Sequence, residues 1–238
     1  MKNNKTLAIV LSHADTIFRK ELLKKCVESI DYDVLISSNY PIDSDIQLMC
    51  KYSLYDSNNP LLYKEDYGKY NITYYYWCLD DNGERIYKLF DYEHGFAAYT
   101  LINNGMRFAK DRGYENVHII NYDYQISNEE LIDNENILDS ELHTDAIFYE
   151  YYDRGFDTPA YCTGFFSGRV NVLKYFFCKY NSQDEYYTSC KDKYMLEDIT
   201  YNYFNNSIYV DHIKCKSFDD LSNTEKTNQE GVLEFSKS

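Results

Sequence analysis

The sequence predicts an α/β fold with a mostly parallel, doubly wound sheet and helices on both of its faces. Apolar segments of strand length alternate with amphipathic helical segments over the first 125 residues, which is the pattern of such a sheet. Hydrophobic residues make up 44% of the 238 residues and charged residues 26%, the proportions of an ordinary globular protein. No apolar run approaches the roughly 18–20 residues that are needed to cross a bilayer.

The first half of the chain alternates regularly between strands and helices. The first helix is predicted from Phe18, Leu22, Cys26 and Ile30, which recur every four residues and give it one buried face, with Asp15 as its N-cap. The other elements of this half are the strands "TLAIVLSH", "DVLISSN", "YSLYD" and "NVHIINYD", a hairpin that turns at "DDNGER", and a long helix at "HGFAAYTLINNGMRFAKDRGY".

The second half is less regular. A short helix at "SNEELID" begins with a capping box formed by Ser127 and Glu130. It is followed by a strand "DAIFYEYYD", a strand or loop "AYCTGFFSG", helices "RVNVLKYFFCKY" and "MLEDITYNYFNN", and a last strand "SIYVDHIKC". Because no repeat or linker divides the chain, we expect one domain over residues 1–215, with halves at 1–125 and 126–215, and a loosely held polar tail at 216–238.

The charge and the cysteines limit the partners and the compartment. A formal charge of −15 argues against nucleic acid, and a nucleoside diphosphate would need a divalent cation or local basic groups to bind. The seven cysteines are odd in number and lack metal-site spacing, which indicates buried thiols in a reducing compartment. The apolar core of the first strand is too short for a signal peptide, so we expect a cytoplasmic protein, in the host cytoplasm if the chain is viral.

The 28 tyrosines suggest stacking against sugars, although the codon bias of an A/T-rich genome explains their number equally well.

Polar residues follow several predicted strands at the point where each strand ends. In a parallel sheet these ends share one edge, where ligands bind, so the sequence predicts a nucleotide site with a hard oxygen ligand for Mg²⁺ or Mn²⁺. Each residue taken alone fits better as an ordinary loop residue, and the prediction rests on their occurring together at one edge. The group comprises Ser12, His13, Ser37, Ser38, Asn39, Asp56, Asn121, Tyr122 and Asp123, and His94 opens the long helix beside it.

Four ordered segments between residues 5 and 215 resemble the landmarks of the GT-A glycosyltransferases, a Rossmann-like, nucleotide-sugar-dependent family. "NYD" stands where the family has its DxD motif, with Asp123 last and Asn121 in place of the first carboxylate. "CTGFFSG" resembles the glycine-bearing loop, "LED" the acidic pair that opens a late helix, and His212 the histidine that follows it. "HAD" and "YDSNNPLL" also resemble segments of uncharacterised phage and marine-bacterial predicted glycosyltransferases.

The resemblance implies transfer of a sugar from a nucleoside diphosphate sugar to a glycan or another acceptor hydroxyl. It makes residues 1–125 the nucleotide-binding half and 126–215 a smaller acceptor-side subregion. The reaction would be inverting and assisted by Mn²⁺ or Mg²⁺, although with Asn121 the motif offers a single carboxylate. The resemblance implies that Asp198 is the catalytic base and that Glu197 supports it. It implies that Asp123 and His212 are metal ligands. The residues implied to contact the donor are Ser12, His13, Asp56, His94, Asn121 and Gly164.

Other interpretations remain open. A nucleotidyltransferase would share the first half, but no Gly-rich loop with Arg or Lys follows "TLAIVLSH". A non-catalytic carbohydrate- or nucleotide-binding protein would keep the tyrosines and need no acid pair. Glu197 and Asp198 also fit as acids favoured by the dipole of the helix that they open, and His212 as a strand residue that bonds a neighbour.

Overall fold

The computed structural model describes residues 5–72, 74–80, 82–140, 144–152, 159–190, 195–206, 212–217 and 225–226. The strands are β1 (Thr6–Ser12), β2 (Asp33–Ser38), β3 (Tyr52–Tyr55), β4 (Leu62–Tyr63), β5 (Tyr75–Leu79), β6 (Arg85–Leu89), β7 (Tyr92–Glu93), β8 (Asn116–Asn121), β9 (Tyr124–Gln125), β10 (Ala146–Tyr152), β11 (Pro159–Arg169), β12 (Ile213–Ser217) and β13 (Glu225–Lys226). The helices are α1 (Ile17–Glu28), α2 (Ser44–Gln47), α3 (Gly95–Asp111), α4 (Asn128–Asp139), α5 (Val170–Phe177), α6 (Gln183–Cys190) and α7 (Leu196–Asn206), and a 3₁₀ helix covers Lys64–Tyr70.

A seven-stranded sheet in the order β12-β10-β11-β8-β1-β2-β3 forms the centre of the molecule. Every neighbouring pair is parallel except the two pairs made by β11, which runs against β8 and β10. The predicted α/β fold with a mostly parallel sheet is therefore confirmed. No helix in the described part of the chain is both long and apolar enough to span a bilayer.

Helices cover both faces of the sheet, as predicted. Helices α3, α5, α6 and α7 pack on one face and α1, α2 and α4 on the other. In β1, Leu7 and Ile9 point into the first layer while Ala8 and Val10 point into the second. Since both faces are buried, β1 reads as a continuous apolar run without polar alternation.

Strand β1 lies at the point where the chain changes direction across the sheet. From β1 the chain proceeds to β2 and β3 on one side and later returns to β8 on the other. The segments that leave the carboxyl ends of β1 and β8 therefore diverge, and this opens a crevice at that edge.

Several local predictions are corrected by the structure. Thr16 rather than Asp15 caps α1, since the Thr16 side chain accepts the Arg19 backbone N–H at 3.2 Å. The segment "CTGFFSG" belongs to strand β11 and is not a loop. Helix α4 is longer than "SNEELID", while α6 and the 3₁₀ helix were not predicted.

Three small antiparallel pairs complete the described fold. The predicted hairpin is confirmed by the pairing of β5 with β6 and by the positive φ of 81° at Gly83. Strand β4 pairs with β7, and β13 pairs with β9. Four residues of the predicted loose tail thus lie in strands, Lys216 and Ser217 in β12 and Glu225 and Lys226 in β13. Residues 207–211 of the predicted last strand lie outside the described residues.

Candidate active site

A cavity of about 700 Å³ opens at the carboxyl edge of the sheet, above β1 and β8. This volume lies within the range of small-molecule sites, roughly 300–1,000 Å³. The described strand ends and the starts of α1, α3 and α7 supply the polar side chains of its wall, which are Asp15, His13, Arg19, Asn39, Tyr40, Asn59, Tyr92, His94, Asn121, Tyr124, Thr163 and Glu197.

Arg19 brings a positive charge to the cavity. Its Nη1 donates to Asp15 Oδ1 at 2.7 Å, one helical turn away, and both side chains are about one-third exposed. Although burial opposes the charged carboxylate, the bond to Arg19 holds the pKa of Asp15 below its usual value. Sequence reasoning missed Arg19. The signal that could have found it was the Asp–Arg pair, four residues apart, directly after the first strand.

His13 is neutral in this environment. Burial, and then the charges of Arg19 and His94, lower its pKa to about 4, against the opposing effect of Asp15. Its Nε2 lies 3.3 Å from the Tyr122 hydroxyl, and the two rings meet edge to face. At neutral pH the ring is therefore an uncharged hydrogen-bonding group in the cavity wall.

Glu197 reaches the cavity from the first turn of α7. Thr163 Oγ1 on β11 donates to Glu197 Oε1 at 2.7 Å, which fixes the carboxylate against the strand. Asp198, the next residue, is half-buried and does not line the cavity. Of the predicted acid pair, the structure thus places Glu197 at the site and turns Asp198 elsewhere.

Gly164 shapes the floor of the cavity. A Cβ at this position would lie 2.8 Å from Cε2 of Tyr124, so any residue larger than glycine would displace the tyrosine ring. Tyr124 itself lines the cavity, and burial raises its pKa well above the usual value. Gly164 therefore acts on the site through Tyr124 as well as through its own backbone.

His94 and Asn39 complete the polar wall. His94 is exposed, directly precedes α3 and lines the cavity. Asn39 follows β2, and its backbone N–H donates to the Ser12 carbonyl at 3.2 Å. Its buried Oδ1 has no hydrogen-bond partner among the described residues. An unsatisfied amide oxygen is a group that a bound ligand could satisfy.

Two predicted donor contacts lie outside the cavity wall. Ser12 is fully buried, and its Oγ accepts the Ala14 N–H at 3.3 Å. Asp56 is exposed, and its Oδ1 accepts the Asn58 N–H at 3.0 Å, which stabilises its own turn. Both side chains thus stabilise the local backbone at the carboxyl edge. The cavity wall in this region is formed by Asn39, Asn59 and Leu61.

The structure does not bring the two predicted metal ligands together. Asp123 follows β8 at the carboxyl edge, between the cavity-lining Asn121 and Tyr124, but does not itself line the cavity. His212 precedes β12, and its carbonyl accepts the Asp145 N–H at 2.8 Å. Because β12 runs parallel to β10 and β8, His212 is at the amino edge, on the order of 20 Å from Asp123 along the strands.

The described residues do not fit a metal centre of several protein ligands. Within them, no three His, Cys, Asp or Glu side chains come together in a way that could hold an ion. Asp15 and Glu197 are the carboxylates of the described cavity wall, and each is already bonded to a neighbour.

No protein-family model matches the chain, and no curated protein sequence matches it. Similar solved structures include a predicted nucleotide-diphospho-sugar transferase from Desulfovibrio desulfuricans G20, with 10% identity, coverage of 90% of this chain and 80% of that chain, and a TM-score of 0.47. A cytidylyltransferase from Leptospira borgpetersenii serovar Hardjo-bovis has 10% identity, coverage of 89% and 74%, and a TM-score of 0.48. A glycosyltransferase involved in glycosylation of the major capsid of PBCV-1 has 8% identity, coverage of 89% and 81%, and a TM-score of 0.46. With TM-scores below 0.5, these similarities leave the assignment of function to the residues of the site.

Proposed function

We propose that this protein is an inverting glycosyltransferase that moves a sugar from a nucleoside diphosphate sugar to an acceptor hydroxyl. The observation that carries the proposal is one cavity, at the switch point of a parallel sheet, whose wall holds both Arg19 and the Thr163-bound Glu197. A positively charged side chain can bind the diphosphate of the donor, and a fixed carboxylate can accept the proton of the acceptor hydroxyl.

The diphosphate would lie beside Arg19. Helices α1, α3 and α7 all begin at this edge, so the partial positive charges of their first turns add to that of the guanidinium. When the bond between the anomeric carbon and the phosphate oxygen breaks, the electrons remain on the leaving diphosphate. Arg19 would stabilise that developing charge.

Glu197 would act on the other reactant. Its carboxylate would take the proton of the acceptor hydroxyl as that oxygen forms a bond to the anomeric carbon. Thr163 positions the carboxylate through Oε1 and leaves Oε2 for the proton. Asp198, the base that the family resemblance implies, would then support the start of α7.

A divalent cation, Mn²⁺ or Mg²⁺, stays a prediction from the sequence. The described residues around Asp123 do not gather the ligands for one, and no step of the proposed reaction passes through a metal.

The neighbouring acids provide the test. Glu197→Gln keeps the shape and the Thr163 bond but removes the base, so turnover should fall by roughly 10²–10⁴-fold with donor affinity nearly intact. Asp198→Asn, the matched control, should retain most of the turnover. A thermal-shift panel of UDP-, GDP- and dTDP-sugars selects the donor, and release of nucleoside diphosphate then measures the rate. Loss of turnover in Asp198→Asn but not in Glu197→Gln would show that Asp198 is the base. Donor binding by the wild type without release of nucleoside diphosphate would indicate a binding protein.

A nucleotidyltransferase is the second candidate, and Arg19 is the observation that favours it. The sequence shows no glycine-rich basic loop after β1, yet the structure places a basic side chain from this region in the cavity. Such an enzyme would join a nucleoside triphosphate to a sugar phosphate and release inorganic diphosphate. Assaying that product with the same purified protein separates the two reactions.

A further inference from the structure

A two-stranded ribbon formed by β4 and β7 lies at the mouth of the cavity. Tyr63 pairs with Tyr92 across this ribbon and Leu62 pairs with Glu93. Paired residues of a ribbon share a face, so the two tyrosines lie on one side and Leu62 and Glu93 on the other. The tyrosines are 54% and 47% exposed, whereas Leu62 and Glu93 are each 3% exposed.

The buried side of the ribbon is anchored firmly. Glu93 Oε1 accepts the Gly95 N–H at 2.6 Å at the start of α3, and its other oxygen accepts the Tyr187 hydroxyl of α6. Gln183 of α6 also donates to the Pro60 carbonyl at 3.2 Å, just before β4. A buried carboxylate is costly unless it is well bonded, and here it fixes the ribbon to two helices.

The exposed side presents an aromatic surface that continues into the cavity. The rings of Tyr63 and Tyr92 meet at 69° with centroids 6.5 Å apart. Tyr92 and Leu61 both line the cavity, so the surface formed by the two tyrosines is continuous with its wall. Glu197, the proposed base, lines the same cavity as Tyr92, so the ribbon and the base belong to one site.

We propose that Tyr63 and Tyr92 form the acceptor platform, on which a neutral saccharide stacks with its reactive hydroxyl directed toward Glu197. This inference rests on the proposed function and specifies its acceptor class. The apolar C–H face of a sugar ring packs on an aromatic ring at little entropic cost when that ring is already fixed.

The charges along the chain next to Tyr63 disfavour anionic acceptors, and Arg19, which lines the same cavity as Tyr92, is paired with Asp15. Glu65 and Asp66 are exposed directly after β4, and the whole chain carries −15. The nearby Lys64 is already paired with Asp91 at 2.6 Å. Phosphorylated or uronic-acid acceptors would be repelled, while the hydroxyls of a neutral saccharide can donate to the carboxylates.

Direct binding of neutral methyl glycosides tests the platform without requiring turnover. The probes are the methyl α- and β-glycosides of glucose, galactose and mannose, measured by saturation-transfer NMR and then by titration. We expect at least one to bind the wild type, and Tyr63→Ala and Tyr92→Ala each to weaken its Kd by about 2- to 10-fold. Tyr63→Phe and Tyr92→Phe keep the rings and should restore binding. Tyr175→Ala, which removes a tyrosine of similar exposure (58%) on α5, is the control and should bind as the wild type.

Each result decides the inference separately from the proposed function. Equal binding by the alanine variants and the wild type, or no binding of any probe by the wild type, would overturn the platform. Tighter binding of glucuronate than of the methyl glucosides would overturn its neutral class. Release of nucleoside diphosphate by the wild-type protein reports independently on the glycosyltransferase activity, so failure of one experiment is distinguishable from failure of the other.

Discussion

Single side chains in the cavity acquire their properties from neighbours that are distant in the sequence. His13 is neutral because burial, and then the charge of Arg19, disfavour its protonated form. Glu197 is fixed by Thr163, which lies 34 positions earlier in the chain. The sequence identified His13 from its place after a strand, and Glu197 from the resemblance of "LED" to the acidic pair of a known family. It could not identify the contacts that set their charge and orientation.

The choice between Glu197 and Asp198 shows where residue-level prediction ends. Neighbouring residues on a helix point about 100° apart, so only one of them can face a given cavity. Which one does so depends on how α7 packs, through Leu196, Ile199 and Phe204, against the sheet. The "LED" pattern contains both acids and does not encode that rotation.

His118 provides a prediction about acid stability. It is fully buried in β8 with Nδ1 2.8 Å from Ser167 Oγ, and burial lowers its pKa from 6.5 to about 3. The unfolded chain takes up this proton below about pH 6.5 and the folded protein does not. The resulting destabilisation is absent above that pH and grows as the pH falls toward the folded pKa. At pH 5 it amounts to roughly 2 kcal/mol.

Urea unfolding at about pH 7 and about pH 5 measures this contribution. In His118→Gln, the loss of unfolding free energy between the two pH values should be about 2 kcal/mol smaller than in the wild type. His212→Gln removes an exposed histidine and should keep the wild-type loss. An unchanged loss in His118→Gln would show that His118 is protonated in the folded protein.

Secondary structure elements were predicted best where periodicity was strong. The four-residue repeats of α1 and α3 and the continuous apolar runs of β1 and β8 were all located correctly. Strand β11 was left as a strand or a loop because its two glycines usually indicate a turn. The structure explains them, since Tyr124 packs over Gly164 and Leu173 over Gly168, leaving no room for a Cβ.

Gly105, in the middle of α3, is a further glycine whose position is explained by a close contact. Glycine costs a helix roughly 1 kcal/mol relative to alanine, so its position needs a reason. A Cβ on Gly105 would lie 2.6 Å from Cγ2 of Ile9, which shows that α3 approaches β1 as closely as the backbone allows. Gly105→Ala should therefore displace the helix, and overpacking should outweigh the gain in helix propensity.

The expected loss in unfolding free energy for Gly105→Ala is about 1–3 kcal/mol, measured by urea unfolding. Gly68→Ala, in the 3₁₀ helix, is the matched control because its Cβ would meet no atom within 4 Å. Its effect should stay within about 0.5 kcal/mol. Equal stability of the two variants would mean that α3 can move away from β1 without cost.

At the scale of the whole molecule, the sequence predicted the fold class but not the order of the strands. Alternating strands and helices imply a parallel sheet, and the polar strand ends imply a site at one edge. The insertion of the antiparallel β11 between β8 and β10 left no sequence signal, because strands buried on both faces all read as apolar runs. For the same reason the sequence could not show that β12 places His212 at the opposite edge.

The overall charge of −15 raises the question of how an anionic donor could bind. The sequence predicted that a metal ion at Asp123 compensates the donor's negative charge. In the structure, Arg19 and the starts of three helices lie at the cavity and can compensate that charge. We therefore predict that binding of a nucleoside diphosphate depends on Arg19. Arg19→Gln should weaken its Kd by about tenfold or more, since a hydrogen bond to a charged group contributes roughly 1.5–3 kcal/mol.

Calorimetry of nucleoside diphosphate binding, with and without Mn²⁺, distinguishes binding through Arg19 from binding through a metal ion at Asp123. Lys24→Gln removes one positive charge from the same helix, outside the cavity, and should bind as the wild type, which isolates the local effect of Arg19 from the change in net charge. Asp123→Asn should show the wild-type affinity in both conditions, because Asp123 does not line the cavity. Mn²⁺-dependent binding by the wild type that disappears in Asp123→Asn would instead make Asp123 the ligand that its place after β8 suggested. In that case the diphosphate would be held mainly by a cation, and Arg19→Gln would change its affinity little.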